Sequence, residues 1–505
     1  MNFSHKRNFN YYSYVFLFWA YPALLFAESY FVAPDGSDSD PGSLDQPFKT
    51  LIPAIAACAA GDTIYLRGGV YEYDASVTID KSGEAGSPIK IWAYQHEIPI
   101  LDFEKAGTGS SARGITLSAD YWHLCGLIIQ YAGDNGIHVY GSHNVLEQVT
   151  TRYNQDSGTQ LSNGASFNLI SNCDSYLNYD PANHGENADG FAAKFDLAEG
   201  NVFRGCRAWS NSDDGWDFWE AGNGVTVEDC WAFRNGENIW NDPEFAGDAN
   251  GFKLGHGSGA HILIRCLAFD HQKHGIDVNG NLSGVQVYNC TCNKNEGKNF
   301  YFDEHSDSHV LRNNLSFDGG ETIYLEVDDE YNSWNGFLVT ESDFISLDST
   351  GVTGPRDENG GLPQLDFLHL AEGSSLIDAG VDVGSPFEGP APDLGAFEFS
   401  SITEIVSHAS QQPEQFAVLQ NYPNPFNPVT TLQYDLPGAA VVTIIIYTIH
   451  GGEVARLIEG YMAPGYHQTK WNGRDKSGRE VPSGIYIARL VTPEYSQAIK
   501  MVLLK

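Results

Sequence analysis

Between residues 187 and 253 the sequence sets acids, amides and an amine at matching places around glycine. The runs are Asn187-Ala188-Asp189-Gly190-Phe191, then Asn211-Ser212-Asp213-Asp214-Gly215-Trp216-Asp217, then Asn250-Gly251-Phe252-Lys253. Each reads as a turn followed by a short strand. Aligned on the glycine, the preceding residues are Asp189, Asp214, Asn250 and His274. Two places after it stand Ala192, Asp217, Lys253 and Asp277, and four places after it Lys194, Trp219, Gly255 and Asn279. Alternate residues of a strand face one side, so Phe191, Trp216, Phe252 and Ile276 are expected inside and the other two columns outside. Stacked as successive rungs, Asp189, Asp213, Asp214 and Asp217 converge, and Lys253 falls between Asp217 and Asp277. Four such carboxylates repel one another unless some hold protons. A hard divalent cation resolves that conflict, and a ligand set made only of oxygen suits Ca²⁺ better than zinc. Any one of these acids, alone, reads as a turn-capping Asp on a solvated face. Their convergence, with an insertion on either side expected to wall a cleft, favours a site.

The elements that would position them form a repeat. Cys125, Val149, Cys173, Cys206, Cys230, Cys266, Cys290 and Asn314 follow one another at 24, 24, 33, 24, 36, 24 and 24 residues, a 24-residue period with insertions of 9 and 12 after Asn178 and Asn235. Five residues past the anchors come Asn154, Asn178, Asn211, Asn235 and Asn295, with Gln130 and His271 as variants. Short β runs with a recurring turn Asn at this period predict a right-handed parallel β-helix, the Asn side chains bonding from coil to coil. A helical spacing at Leu51, Ile52, Ile55 and Ala56, within residues 48–60, predicts a cap over the open end of the solenoid.

The chain has 28 Lys+Arg against 65 Asp+Glu, a formal charge of −37, and 53 Gly. Such a surface repels nucleic acid and anionic membrane. A polyanionic substrate would be repelled too, unless a cation bridged it to the protein. His5, Lys6 and Arg7 precede an apolar run from Tyr14 to Phe26, so residues 1–27 read as a secretory signal peptide, with no later segment able to span a membrane. In an exported chain eight cysteines raise the question of disulfides. Six of them share one repeat column, and small thiols stacked inside the helix are expected, none with zinc-site spacing.

The runs around Asp189, around Asp213-Asp214-Gly215-Trp216-Asp217 and Gly251-Phe252-Lys253-Leu254-Gly255, in this order, resemble polysaccharide lyase family nine, across residues 30–399 and most densely over 187–302. The resemblance implies a secreted, calcium-dependent pectate lyase on a right-handed parallel β-helix. By motif, Asp189, Asp213, Asp214 and Asp217 would be the calcium ligands, the Gly215 carbonyl a backbone ligand and Lys253 the Brønsted base. A cation on a uronate carboxylate stabilises the charge left when the C5 proton departs, and the C4 oxygen is expelled. The base must be neutral, so activity is expected to peak at alkaline pH. Lys194 and Arg234 are candidates for binding further substrate carboxylates, Trp219 for stacking on a sugar and Asn279 for a polar contact. Members of the family also act on rhamnogalacturonan, so the motif fixes the chemistry better than the substrate.

A rival is a pectin hydrolase of the polygalacturonase type on the same fold, with which Asn187-Ala188-Asp189, Asp213-Asp214 and Gly255-His256-Gly257 also agree. Its downstream Arg-Ile-Lys run is missing, and it has no use for Asp217 with Lys253. A non-catalytic carbohydrate-binding solenoid is a third possibility. Ser374 to Gly380 and Asp393 to Glu398 resemble the closing segment of exported β-helices. The catalytic domain is thus placed at 28–399, followed by a polar linker over 400–415. From 416 to 505, runs such as Val441 to Tyr447 and Ile485 to Val491 between Gly and Pro turns predict a small Ig-like β-sandwich. Asn421 to Pro428, Trp471 to Asp475, Pro482 to Tyr486 and Lys500 to Lys505 resemble the C-terminal sorting domains of the type IX secretion system. The expected protein is a secreted or cell-surface monomer whose partners are pectate and the secretion machinery.

Overall fold

Two columns of left-handed residues bend each coil. Asn172, Gly205, Asp229, Arg265 and Asn289 have φ between 50 and 63°, as do Leu177, Ser210, Arg234, Asp270 and Lys294. One such residue turns the chain where a strand ends, and repetition at every rung gives three flat walls. The computed structural model describes residues 27–400 except 96, 304–307 and 358, and, in the C-terminal part, 417–418, 426, 428–436, 440–462, 465–492 and 495–503. Residues 1–26 of the leader, 401–415 of the linker and most of the Asn421 to Pro428 run therefore lie outside the described residues. Two compact units divide at Phe399 and Ser400.

The first unit is a parallel β-helix of one 12-stranded and two 10-stranded sheets. Along the 12-stranded sheet Val145, Leu169, Val202, Thr226, Ile262, Gln286 and Val310 are register partners in turn, at steps of 24, 33, 24, 36, 24 and 24 residues. The expected period and both insertions are the actual register. Earlier it shifts. His123 pairs with Val145 and Cys125 with Glu147, a rung of 22 residues. Cys125 and Gln130 thus fall outside the columns assigned to them: Ala132 takes the ladder place, its N–H donating to Asn154 Oδ1 at 3.1 Å. Five cysteines, Cys173 to Cys290, do line one interior column, and all eight in the chain are free thiols.

The turn ladder runs as expected. Backbone N–H groups of Asn154, Asn178 and Asn211 donate to the side-chain oxygens of Asn178, Asn211 and Asn235 at 3.1, 3.2 and 3.0 Å. His271 continues it, accepting the Asn235 N–H on Nδ1 at 3.3 Å. A second ladder of the same kind, Asn144, Asn168 and Asn201, stands at the opposite bend. Inside, Phe191, Trp216 and Phe252 stack at 4.9 and 4.8 Å.

The cap helix, Leu51–Ala57, buries Leu51, Ala54 and Ile55 and leaves Ile52 exposed, a face rotated from the one expected. Residues 337–357 and 359–399, which include the expected closing runs 374–380 and 393–398, fold back over the outside of one 10-stranded sheet. There Phe344, Phe367, Leu370, Leu376 and Leu394 cover Trp231, Phe233, Leu267, Phe269 and Leu315. Those outward rings need cover, which explains the course of the segment.

The C-terminal unit has a three-stranded and a four-stranded antiparallel sheet, with Leu432, Tyr434, Ile444, Trp471, Tyr486 and Leu490 in its core. The expected strands lie within Ala440–Thr448 and Gly484–Val491.

Candidate active site

The second 10-stranded sheet carries the site. Its strands Phe191–Lys194, Trp216–Asp217, Phe252–Lys253 and Ile276–Asp277 pair in parallel, with Ala192, Asp217, Lys253 and Asp277 in one outward register. The inward column, Phe191, Trp216, Phe252 and Ile276, is fully buried. Strand alternation aims Asp217, Lys253 and Asp277 to the same side; Asp189, Asp213 and Asp214 lie in the turns just before the strands.

Carboxylate oxygens of Asp189, Asp213 and Asp214 lie within 4.8 Å of one another. The backbone fixes two of these acids. Asp214 N–H donates to Asp189 Oδ1 at 3.3 Å, and Asn250 donates to Asp214 Oδ1 through its backbone at 2.7 Å and its amide at 2.9 Å. Asp214 Oδ2 is buried without a hydrogen bond; its counter-charge is Lys253 Nζ at 3.2 Å. Three carboxylates gathered this closely offer only oxygen donors, a set that fits a hard cation such as Ca²⁺.

Asp217 is placed differently from the other three. Lys194 Nζ lies 2.8 Å from Asp217 Oδ2 and 2.8 Å from Asp189 Oδ2, and Lys253 Nζ lies 3.5 Å from Asp217 Oδ2. Lys194 is buried and paired with two acids, a counter-ion within the cluster. The Gly215 carbonyl accepts the Phe191 N–H at 2.9 Å in the sheet ladder. Arg234 leaves the site altogether: it is the left-handed bend residue, and its Nη2 donates to Ser349 at 2.9 Å beneath the folded-back segment. Trp219 stays, its ring 5.6 Å from Lys253 Nζ. Asn279 lies beyond Asp277, donating its N–H to Asp277 Oδ1 at 2.8 Å, with its own Oδ1 buried and unpartnered.

Asp248 is the site residue that sequence reasoning missed. It is 2.7 Å from Lys253 Nζ and 3.3 Å from Lys273 Nζ, and its N–H donates to Asp213 Oδ1 at 2.6 Å. It sits in the second insertion, where repeat alignment gives no place to any residue. The two insertions do not stand apart as opposite walls. Tyr179 stacks on Trp240 at 4.7 Å, and His184 Nδ1 and the Tyr179 hydroxyl meet Asp242 Oδ2 at 3.0 and 2.7 Å. They make one ridge beside Asp213.

Electrostatics follow from burial and crowding. Burial pushes the Asp189 carboxyl up to about 7, opposed by Lys194 and reinforced by Asp217 and Asp214. Burial, then Asp214 and Asp189, holds Asp213 well above the usual carboxylate range. Burial opposes the charge on Lys253, but Asp214, Asp217, Asp213 and Asp248 outweigh it and raise its pKa. Burial raises the Asp277 carboxyl to about 7.

A parallel β-helix whose outward strands join an acid cluster to a buried lysine pair is the class defined by fold and site. The model of the Pel9A-like right-handed β-helix region matches residues 30–314, and that of the FlgD Ig-like domain matches residues 428–492. Pectate lyase L of Dickeya chrysanthemi is 40% identical over 384 residues, covering 73% of this chain and 90% of that protein. The crystal structure of pectate lyase Pel9A is 39% identical with a TM-score of 0.71, over 74% of this chain and 96% of that one. A rhamnogalacturonan lyase structure is 29% identical with a TM-score of 0.62, over 68% and 97%. The chain belongs to the Pel9A-like right-handed β-helix family.

Proposed function

We propose that this protein is a pectate lyase, a polysaccharide lyase that cleaves galacturonan by β-elimination at the acid cluster, with Lys253 as the base. The observation that carries the reading is the place of Lys253 Nζ, one rung beyond Asp213 and Asp214 and 3.2 Å from Asp214 Oδ2. Asp189, Asp213 and Asp214, with Asp217 beside them, would hold Ca²⁺. When bound, the ion supplies positive charge to the substrate carboxylate and the incipient carbanion, and offsets the acids that hold Lys253 protonated. Lys253, once neutral, takes the C5 proton. Asp248 and Asp217 hold its amine in place, and Trp219 offers an aromatic face to the sugar. The acids favour the charged amine, so the neutral fraction grows with pH and the rate is expected to climb into the alkaline range.

Ultraviolet absorbance on polygalacturonate tests this reading. Elimination leaves an unsaturated, absorbing chain end and stops when a chelator removes calcium. New reducing ends without absorbance, unaffected by chelator, would establish hydrolysis instead. The likeness to a rhamnogalacturonan lyase favours that polymer as a second substrate, read in the same assay. Export by the 1–27 leader and sorting by the C-terminal unit complete the proposal, supported by the resemblance of 421–428, 471–475 and 482–486 to type IX sorting domains. Deleting residues 416–505 should leave active enzyme inside the producing cell; undiminished export would refute the sorting role.

A further inference from the structure

The 12-stranded sheet carries a second group of metal-ligating side chains, remote in the fold from the acid cluster. On the strand Trp122–Cys125, Trp122 and Leu124 point into the core, so His123 and Cys125 both face outward. Glu147 is the register partner of Cys125 on the next strand. His123 Nε2 lies 2.9 Å from Glu147 Oε2, and a ring nitrogen, the Cys125 sulfur and a Glu147 oxygen all lie within 4.8 Å of one another. Cys125 is the one cysteine of eight that is not buried, because the 22-residue rung sets it off the interior column. Trp92 stands edge-on to the imidazole at 5.2 Å and 82° and fixes the ring.

We propose that His123, Cys125 and Glu147 form a second metal site, taking a borderline divalent cation such as Zn²⁺. The donors are one nitrogen, one sulfur and one oxygen, which suits zinc as the oxygen-only cluster suits calcium. Zinc bonds of about 2.0 to 2.3 Å place donors of one ion roughly 3.3 to 3.8 Å apart, so binding replaces the 2.9 Å contact of His123 with Glu147, those two donors moving slightly apart to admit the ion. The Cys125 thiol gives its proton to solvent as the sulfur–metal bond forms, and His123 binds through a ring lone pair. Three protein ligands leave one position for water. The ion would clip two rungs together from outside.

The probe is Co²⁺, titrated into the reduced full-length protein with Ca²⁺ present. One equivalent should raise a near-ultraviolet thiolate-to-cobalt band. Cys125→Ser should abolish it and Asp214→Asn should leave it intact. Glu147→Gln, which keeps every thiol, should weaken binding by at least about 10- to 100-fold, the cost of losing even an outer partner. No band, a band that survives in Cys125→Ser, or one that needs a large excess of metal overturns the site.

Discussion

Lys253→Ala is expected to lower kcat by about 10²- to 10⁴-fold, the usual contribution of a positioned general base, without loss of calcium binding. The geometry makes the second half of that outcome diagnostic. Lys253 Nζ faces Asp214 at 3.2 Å, Asp217 at 3.5 Å and Asp248 at 2.7 Å. Removing the amine takes positive charge away from the acids, so calcium affinity should hold or rise. A lysine that only held the acids together would show the reverse, with calcium binding lost alongside activity. Lys253→Arg separates the roles further. It restores the charge but supplies a group that does not lose its proton, so the cluster should be rebuilt and turnover should stay low. Turnover of Lys253→Ala near the wild-type rate would remove Lys253 from the reaction.

The second large effect is on stability. Asp214→Asn keeps the Oδ1 that accepts both Asn250 donors at 2.7 and 2.9 Å, so the local fold is preserved while a charged donor to the cation is lost. In the wild type, calcium at a hundred times its Kd should add about 2.7 kcal/mol; in the variant the gain should nearly vanish. The metal-free proteins should differ in the other direction. Asp189 is raised from 3.8 to about 7 in the fold, so across that window the folded chain binds more protons than the unfolded one. Metal-free stability should therefore fall as pH rises from the unfolded value to the folded one. Asp214 is one of the charges raising Asp189, and its neutralisation should flatten that slope. Thermal melts in chelator across the window check both signs. An unchanged calcium response in Asp214→Asn would place the cation elsewhere.

Most of the helix could be read in advance because its bends are chemically specified. A turn Asn whose side chain bonds to the next rung, and a small thiol under the neighbouring bend, recur at the rung period, so Cys173 to Cys290 gave the register through both insertions. Misreading occurred where chance imitated the period: Cys125 and Val149 are 24 residues apart, yet Cys125 pairs with Glu147. The second ladder was hidden because histidines replace its Asn further along, His261 accepting the Val225 N–H at 3.1 Å and His309 the Val285 N–H at 3.0 Å. At the site, stacking the glycine-aligned turns placed Asp189 beside Asp214, and strand alternation placed Asp217 beside Lys253. It could not show that Asp217 serves two lysines, since side-chain pairing depends on reach and burial, not on column. Asp248 was beyond such reading because its loop has no periodic neighbour. Arg234 shared the rung numbering but not the direction, being a bend residue.

The shared ridge beside Asp213 constrains how this chain can change. Tyr179 and Trp240 hide their faces against each other, and Phe245 lies against Gly185, where an added methyl would meet its ring at 2.7 Å. Shortening either excursion would strip the apolar cover from the other and pull Asp248 away from the amine it steadies. The two loops are therefore a matched pair whose lengths can drift only in concert, and grafting one into a related scaffold would require carrying its companion along.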